Sequence, residues 1–201
     1  MKEMTIPVDV VERAAEALRG HNIETIVVDT ADEARAAVLA MVPEGAEVYT
    51  GKSKSLEDTG LFAELVESGR YDSVRAHILA MDRATQGREI RKLMAAPDYM
   101  LGSVAALTED GALVAASATG SQLGPYVAGA GRVILVVGSQ KIVPDLDAAF
   151  RRINEVAFPY ENAQVQARLG VDTSLQKVLV TYGEWRVGRT TVVLVRENVG
   201  V

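Results

Sequence analysis

The sequence predicts a layered α/β fold built on a mostly parallel sheet. Three observations point there. Strand-like and helix-like segments alternate over the first two-thirds of the chain. Residues 132–137, R-V-I-L-V-V, form an uninterrupted aliphatic run suited to a parallel strand covered on both faces. Small residues, hydroxyls and a lysine gather where strands end, at Ser117–Gln122 and Gly138–Lys141, and that edge of an open α/β sheet is where ligands bind.

The elements follow in order. Pro7–Leu18 carries Val8, Val11, Ala14, Ala15 and Leu18 at helical spacing, with Gly20 as C-cap. Ile23–Val28 is β-branched and reads as a strand. Asp29 and Thr30 cap a helix over Ala31–Met41, with Asp32 and Glu33 in its favourable first turn. Pro43-Glu44-Gly45 breaks it. Ala46–Thr50 is a short strand, Gly51–Ser55 a loop, and Leu56–Glu67 a helix weakened at Gly60. Ser73–Leu79 is expected to be a strand, and Thr85–Ala96 a helix ended by Pro97. Tyr99–Leu107 and Ala112–Ala116 form a hairpin through Asp110-Gly111. Pro125–Ala130 is about one helical turn, Arg132–Val137 the buried strand, and Asp145–Val156 and Phe158–Leu169 are helices. Lys177–Tyr182 and Thr190–Arg196 complete the reading as a terminal hairpin around Gly183–Gly188. No repeat or linker interrupts the 201 residues, so one domain is expected.

Composition narrows the function. The chain has 48% hydrophobic and 24% charged residues, and 21 Lys and Arg stand against 27 Asp and Glu, a net charge of −6. Such a field repels nucleic acid and anionic membranes. With no cysteine there is no disulfide, no thiolate zinc site and no cysteine-held iron–sulfur cluster in this chain. Met1–Thr5 lacks the apolar core of a signal peptide, and no apolar run approaches membrane length, so a cytoplasmic protein is expected.

Four segments could carry chemistry. Gly51, Lys52 and Ser53, with Lys54 and Ser55, sit between a strand and a helix, where amides and lysines attract anions; a plain capped turn with solvated lysines is the alternative. Ser117, Thr119, Gly120, Ser121 and Gln122 concentrate small donors that allow close backbone approach, or else form a packing corner. Gly138, Gln140 and Lys141 follow the buried strand, and the lysine could pin a carboxylate or phosphate or lie at the surface. Glu109 and Asp110 are candidate acid/base carboxylates, although a hairpin turn already accounts for them. His21 and His77 have no partner at metal-ligand spacing, so no metal site is expected. Trp185 suits a hairpin tip or an interface, and Arg151-Arg152 a solvated helix face.

Together these stretches resemble the lactate-utilisation (LUD) domain family, in its single-domain lactate utilisation protein C-like branch. The matching segments are G-K-S-K-S-L-E-D-T-G at 51–60, L-T-E-D-G-A-L-V at 107–114, S-A-T-G-S-Q at 117–122, V-I-L-V-V-G-S-Q-K-I-V-P-D-L at 133–146 and G-R-T-T-V-V-L-V-R-E-N-V-G at 188–200. They cover most of the chain from about Ala46 onward. The resemblance implies a Rossmann-like sheet with added antiparallel hairpins, like that of ribose-phosphate isomerases, glucosamine-phosphate deaminases and CoA-transferases. By the same resemblance Gly51–Ser55 takes the place of a phosphate loop and Lys141 that of a lysine after a late buried strand. Glu109-Asp110-Gly111 parallels the isomerases' acidic motif only loosely, and the residues around it depart from their pattern.

The resemblance also implies a role in oxidising L-lactate to pyruvate beside iron–sulfur subunits. The chain would then be an accessory subunit binding a small anionic ligand, since without cysteine its electrons must travel through a partner. The alternative is a stand-alone isomerase- or transferase-like enzyme acting on a phosphorylated or CoA-linked substrate. A third reading is a scaffold whose loops serve packing. The sequence singles out no cofactor, and a homo-oligomer is compatible with each reading.

Overall fold

The computed structural model describes residues 6–201; Met1–Thr5, where no leader is expected, lies outside them. The elements are helix α1 (Val8–Gly20), strand β1 (Glu24–Val28), α2 (Ala31–Met41), β2 (Glu47–Thr50), α3 (Lys54–Asp58), α4 (Leu61–Glu67), β3 (Asp72–Ser73), α5 (Val74–Ala80) and α6 (Gly87–Ala95). There follow β4 (Tyr99–Gly102), β5 (Ala106–Thr108), β6 (Leu113–Ser117), β7 (Arg132–Gly138), β8 (Ile142–Val143), α7 (Leu146–Arg152), α8 (Phe158–Leu169), β9 (Lys177–Thr181) and β10 (Thr190–Val195). A π-helical turn at Pro125–Gly129 leads to β7, and another at Ile153–Ala157 joins α7 to α8.

Six strands form an all-parallel sheet in the order β1-β10-β7-β4-β2-β3. Four more form a mixed sheet, β8-β5-β6-β9, parallel only between β5 and β8. This is a Rossmann-like α/β fold with an appended small sheet.

The two-residue period of a strand divides the core. On β7, Val133, Leu135 and Val137 pack with α1, α5, α6 and the small sheet. Ile134 and Val136 of the same strand pack with α2, α3 and α4 through Ala34, Val38, Leu56, Leu61 and Leu65. Covering both faces explains why Val133–Val137 of β7 and Val192–Val195 of β10 are continuous apolar runs rather than alternating ones. The outer face of the small sheet is closed by Ala149 and Ile153 against Ala106 and Val114.

Local signals behave as their chemistry requires at several ends. Thr30 and Glu33 make a reciprocal capping box on α2. Asp145 accepts from the Ala148 amide and starts α7. At the β5–β6 turn, Gly111 has φ +90° and donates to the Thr108 carbonyl, while Asp110 keeps negative φ.

Five expectations are corrected. Ser73–Leu79 is helical: Ser73 caps it by accepting from Ala76, and Val74 and Ile78 are buried one turn apart. Tyr99–Leu107 is two strands in two sheets, because the chain leaves the parallel sheet at Gly102 and joins the small one at Ala106. The helix expected over Leu56–Glu67 starts at Lys54 and is divided at Gly60, whose φ is +69°. β9 and β10 form no hairpin: β9 pairs with β6, and β10 inserts between β1 and β7. Arg152 is not solvated but half-buried, its guanidinium donating to the carbonyls of Ala105 (2.5 Å) and Gln140 (3.4 Å). No helix among the described residues is long and apolar enough to cross a membrane.

Candidate functional site

The parallel sheet winds outward from β2 to β3, then returns to place β4 on the other side of β2. Loops leaving adjacent strands on either side of such a reversal open a crevice at the strands' C-terminal ends. A cavity of about 140 Å³ lies there, on a scale where one water takes roughly 10–15 Å³, so it can hold a small molecule. Gly51–Lys54 line it after β2, Ser103–Ala105 after β4, and Lys141 after β7. Gln122, Tyr126, Tyr160, Glu161 and Val201 complete much of its wall.

Lys141 is the centre of the polar network. It is 3% exposed and sits in a 3₁₀ turn between β7 and β8. Its ammonium donates to Ser55 Oγ at 2.9 Å, Ser103 Oγ at 2.9 Å and the Val104 carbonyl at 3.2 Å. None of these partners is charged. Burial, helped by the nearby Arg152 guanidinium and opposed by Asp58, therefore lowers the amine from its ordinary 10.5 to about 7. Ser103 bridges to the sheet, donating to Val136 O at 2.6 Å, and Tyr126 Oη donates to Ser103 O at 3.2 Å. Gly102 gives Tyr126 its place, since a Cβ there would overlap the phenol oxygen.

The first loop supplies further charge. Lys54 pairs with Asp58, which raises the lysine above its usual range through that hydrogen bond. Lys52 is exposed and has no carboxylate partner among the described residues. Glu161 contributes the opposing carboxylate on the cavity wall.

Of the residues singled out in the sequence, Gly51, Lys52, Ser53, Lys54, Gln122 and Lys141 meet at this cavity. The remainder of the Ser117–Gln122 loop bonds within itself and to Gln176 and Lys177. Ser117 Oγ accepts from Gly120 N and donates to Gln122 Oε1, and Thr119 Oγ1 accepts from Ser121 N. Gly138 and Gln140 instead hold the C-terminal segment: Gln140 Nε2 donates to Val199 O at 2.9 Å, and a Cβ on Gly138 would run into Val199 backbone. Glu109 and Asp110 lie at the β5–β6 turn, outside the cavity lining. There Glu109 pairs with Arg13 at 3.0 Å and Asp110 accepts from Thr108 Oγ1. His77, on α5, is 3.2 Å from Asp72. Trp185 is fully exposed between β9 and β10.

Sequence reasoning missed Ser103, Tyr126 and the Val199–Val201 segment. Ser103 had a signal: Gly-Ser directly after the apolar Tyr99–Leu101. Reading β4 and β5 as one strand hid it.

The LUD domain family model matches residues 11–195, which is most of the chain. The chain belongs to the LUD domain family. A comparison with curated proteins finds no match for this LUD domain. Among solved structures it is similar to the crystal structure of a DUF162 family protein from Deinococcus radiodurans. The two share 12% identity with a TM-score of 0.52, over 93% of this chain and 96% of that one. At that identity the likeness speaks to the fold alone. Membership links the LUD domain in general terms to lactate utilisation, and its cavity lies within the matched residues apart from Val201.

Proposed function

We propose that this LUD domain binds a small anionic ligand, a carboxylate or phosphate, in the cavity at the ends of β2, β4 and β7. In this reading it serves lactate oxidation to pyruvate as an accessory subunit beside iron–sulfur partners. The observation carrying the ligand reading is the convergence of Lys52, Ser103, Gln122 and Lys141 from four separate segments on one cavity. Lys52, exposed and without a carboxylate partner among the described residues, supplies a cation on the cavity lining. Lys141 supplies a proton donor that an incoming anion would charge more fully, because a negative neighbour raises an amine's pKa. Glu161 sets a limit, since it opposes any anion seated against α8.

Thermal unfolding tests the reading with L-lactate, pyruvate, inorganic phosphate and a short acyl-CoA as probes. A ligand at about 100 times its Kd stabilises by roughly 2.7 kcal/mol, or on the order of 5–10 °C in Tm for a chain of this size. At least one probe is expected to give such a shift, and Lys52→Ala to weaken it several-fold without lowering the ligand-free Tm. No shift with any of the four at millimolar concentration overturns the anion reading.

A further inference from the structure

Of the two hydroxyls that Lys141 touches, that of Ser103 belongs to a residue of the cavity wall. Ser55 Oγ and Ser103 Oγ lie 3.2 Å apart, and Lys141 Nζ is 2.9 Å from each. Ser55 is fully buried and is not part of the wall, so only one of the two serines faces a ligand.

We infer that Ser103 is a nucleophile activated by Lys141, and that the cavity accepts the acyl group of an ester or thioester for transfer or hydrolysis. The inference rests on the cavity being a ligand site but not on the ligand being an anion.

The lysine's partners suit a base that changes state. An ammonium has three N–H donors, which the shell satisfies at Ser55 Oγ, Ser103 Oγ and Val104 O. The neutral amine has two N–H donors and one lone pair. Val104 O and Ser55 Oγ take the donors, and the lone pair is left to accept from Ser103. The serine has a second acceptor for its proton, Val136 O at 2.6 Å. Its hydroxyl thus points to Val136 while Lys141 is charged and turns to Lys141 once the amine is neutral. An amine held near 7 makes that exchange available at neutral pH. A nucleophile, a base in contact with it and a third group orienting the base are the parts that covalent catalysis needs.

The step balances without a further reagent. Ser103 Oγ attacks the acyl carbon while its proton passes to Lys141 Nζ. The tetrahedral adduct collapses, and the bond to the leaving alcohol or thiol breaks as Lys141 returns the proton to it. Water, or another acceptor hydroxyl or thiol, then attacks the acyl-serine with Lys141 taking and returning its proton in the same way.

Incubation of the intact protein with p-nitrophenyl acetate, followed by peptide mass spectrometry, tests this. An acetyl ester is expected on Ser103, with release of one equivalent of p-nitrophenolate in the first turnover. The labelling rate should rise with pH and level off above a midpoint near 7. Lys141→Met is expected to slow labelling by about 100-fold or more, the usual worth of a positioned base. Ser55→Ala removes an acceptor of the ammonium, so it should move the midpoint to lower pH. The wild-type pH profile keeps the test decisive if Lys141→Met fails to fold. No ester on Ser103 at any pH, an acetyl amide on Lys141 in its place, a rate independent of pH between 6 and 8, or equal labelling in a folded Lys141→Met overturns the inference. Such a result leaves the thermal-shift reading of anion binding untouched, and the absence of a shift with L-lactate, pyruvate and inorganic phosphate leaves this one untouched.

Discussion

An amine taken out of water stays soluble in the protein by one of two routes: it gains a counter-charge, or it gives up its proton. Lys141 has only hydroxyl and carbonyl partners in contact, and Arg152 nearby makes the charged form costlier still. The balance shifts toward loss of the proton, and the amine is lowered to about 7. The consequence for stability has a definite sign. The unfolded chain holds this proton up to its ordinary value of 10.5, and the folded chain releases it near 7. Between those values the unfolded state binds more protons, so stability from this group rises with pH across that window. It is smallest below 7, where both states are charged and the folded one bears the desolvation cost. The stability difference between wild type and Lys141→Met is therefore expected to move in favour of wild type by a few kcal/mol from pH 7 to 10, read by urea denaturation at each pH. A difference independent of pH contradicts a proton-poor Lys141. The importance of this residue was legible from its place after the aliphatic run. Its burial was not, because nothing in the sequence around Gly138–Lys141 announces that Ser55 and Ser103 close over it.

At the scale of elements, the Val199–Val201 segment matters as much as any helix. It runs across the end of β7, fastened by Gln140 to its carbonyls and by the Gly200 amide donating to Asp58 at 2.8 Å. Gly200 has φ +81°, and a Cβ there would press on Ser55 Oγ and lie 2.9 Å from Lys141 Nζ. Gly200→Ala thus combines a strained backbone with a clash, and is expected to destabilise by about 1–3 kcal/mol. Hydrogen exchange at Val199 and Gly200 should speed up with it. Unchanged stability and exchange show that the segment is not held where the contacts place it. The elements best read from sequence were those with redundant signals: α2 has a cap, an acidic first turn and a breaker, and β7 has a continuous aliphatic run. α5 was misread for a physical reason. Val74, Ala76, Ile78 and Ala80 alternate as a strand would, while Val74 and Ile78 also satisfy helical spacing. The Ser73 cap decides between the two, and it is visible only once Ala76 is seen to donate to it.

For the whole molecule, the absence of cysteine sets the terms of the proposed pathway role. A chain with no thiolate holds no cysteine-ligated cluster, so in the proposed role that cluster belongs to a partner subunit. Gentle affinity purification from the native cell is expected to recover iron–sulfur proteins in a defined ratio, and their recovery as lactate-oxidising activity would identify them. A chain that elutes alone under those conditions contradicts the accessory role. The appended small sheet and parallel main sheet were foreseen as a class, yet their joining was not. β9 and β10 are neighbours in sequence with an intervening eight-residue loop, which invited a hairpin. The deciding signal is burial: Thr190–Val195 is buried at every residue, as an interior parallel strand must be, whereas Lys177–Val178 stay exposed as an edge strand can.

That placement of β10 reaches back to synthesis. In the parallel sheet β1 bonds to no strand but β10, which itself fills the slot beside β7. Some 160 residues separate the two partners, so the backbone groups of Glu24–Val28 wait in water, or with a chaperone, until Thr190–Val195 has been translated. The ribosome thus finishes this sheet from the middle, and a nascent chain stalled short of Thr190 displays two open seams to any other strand nearby.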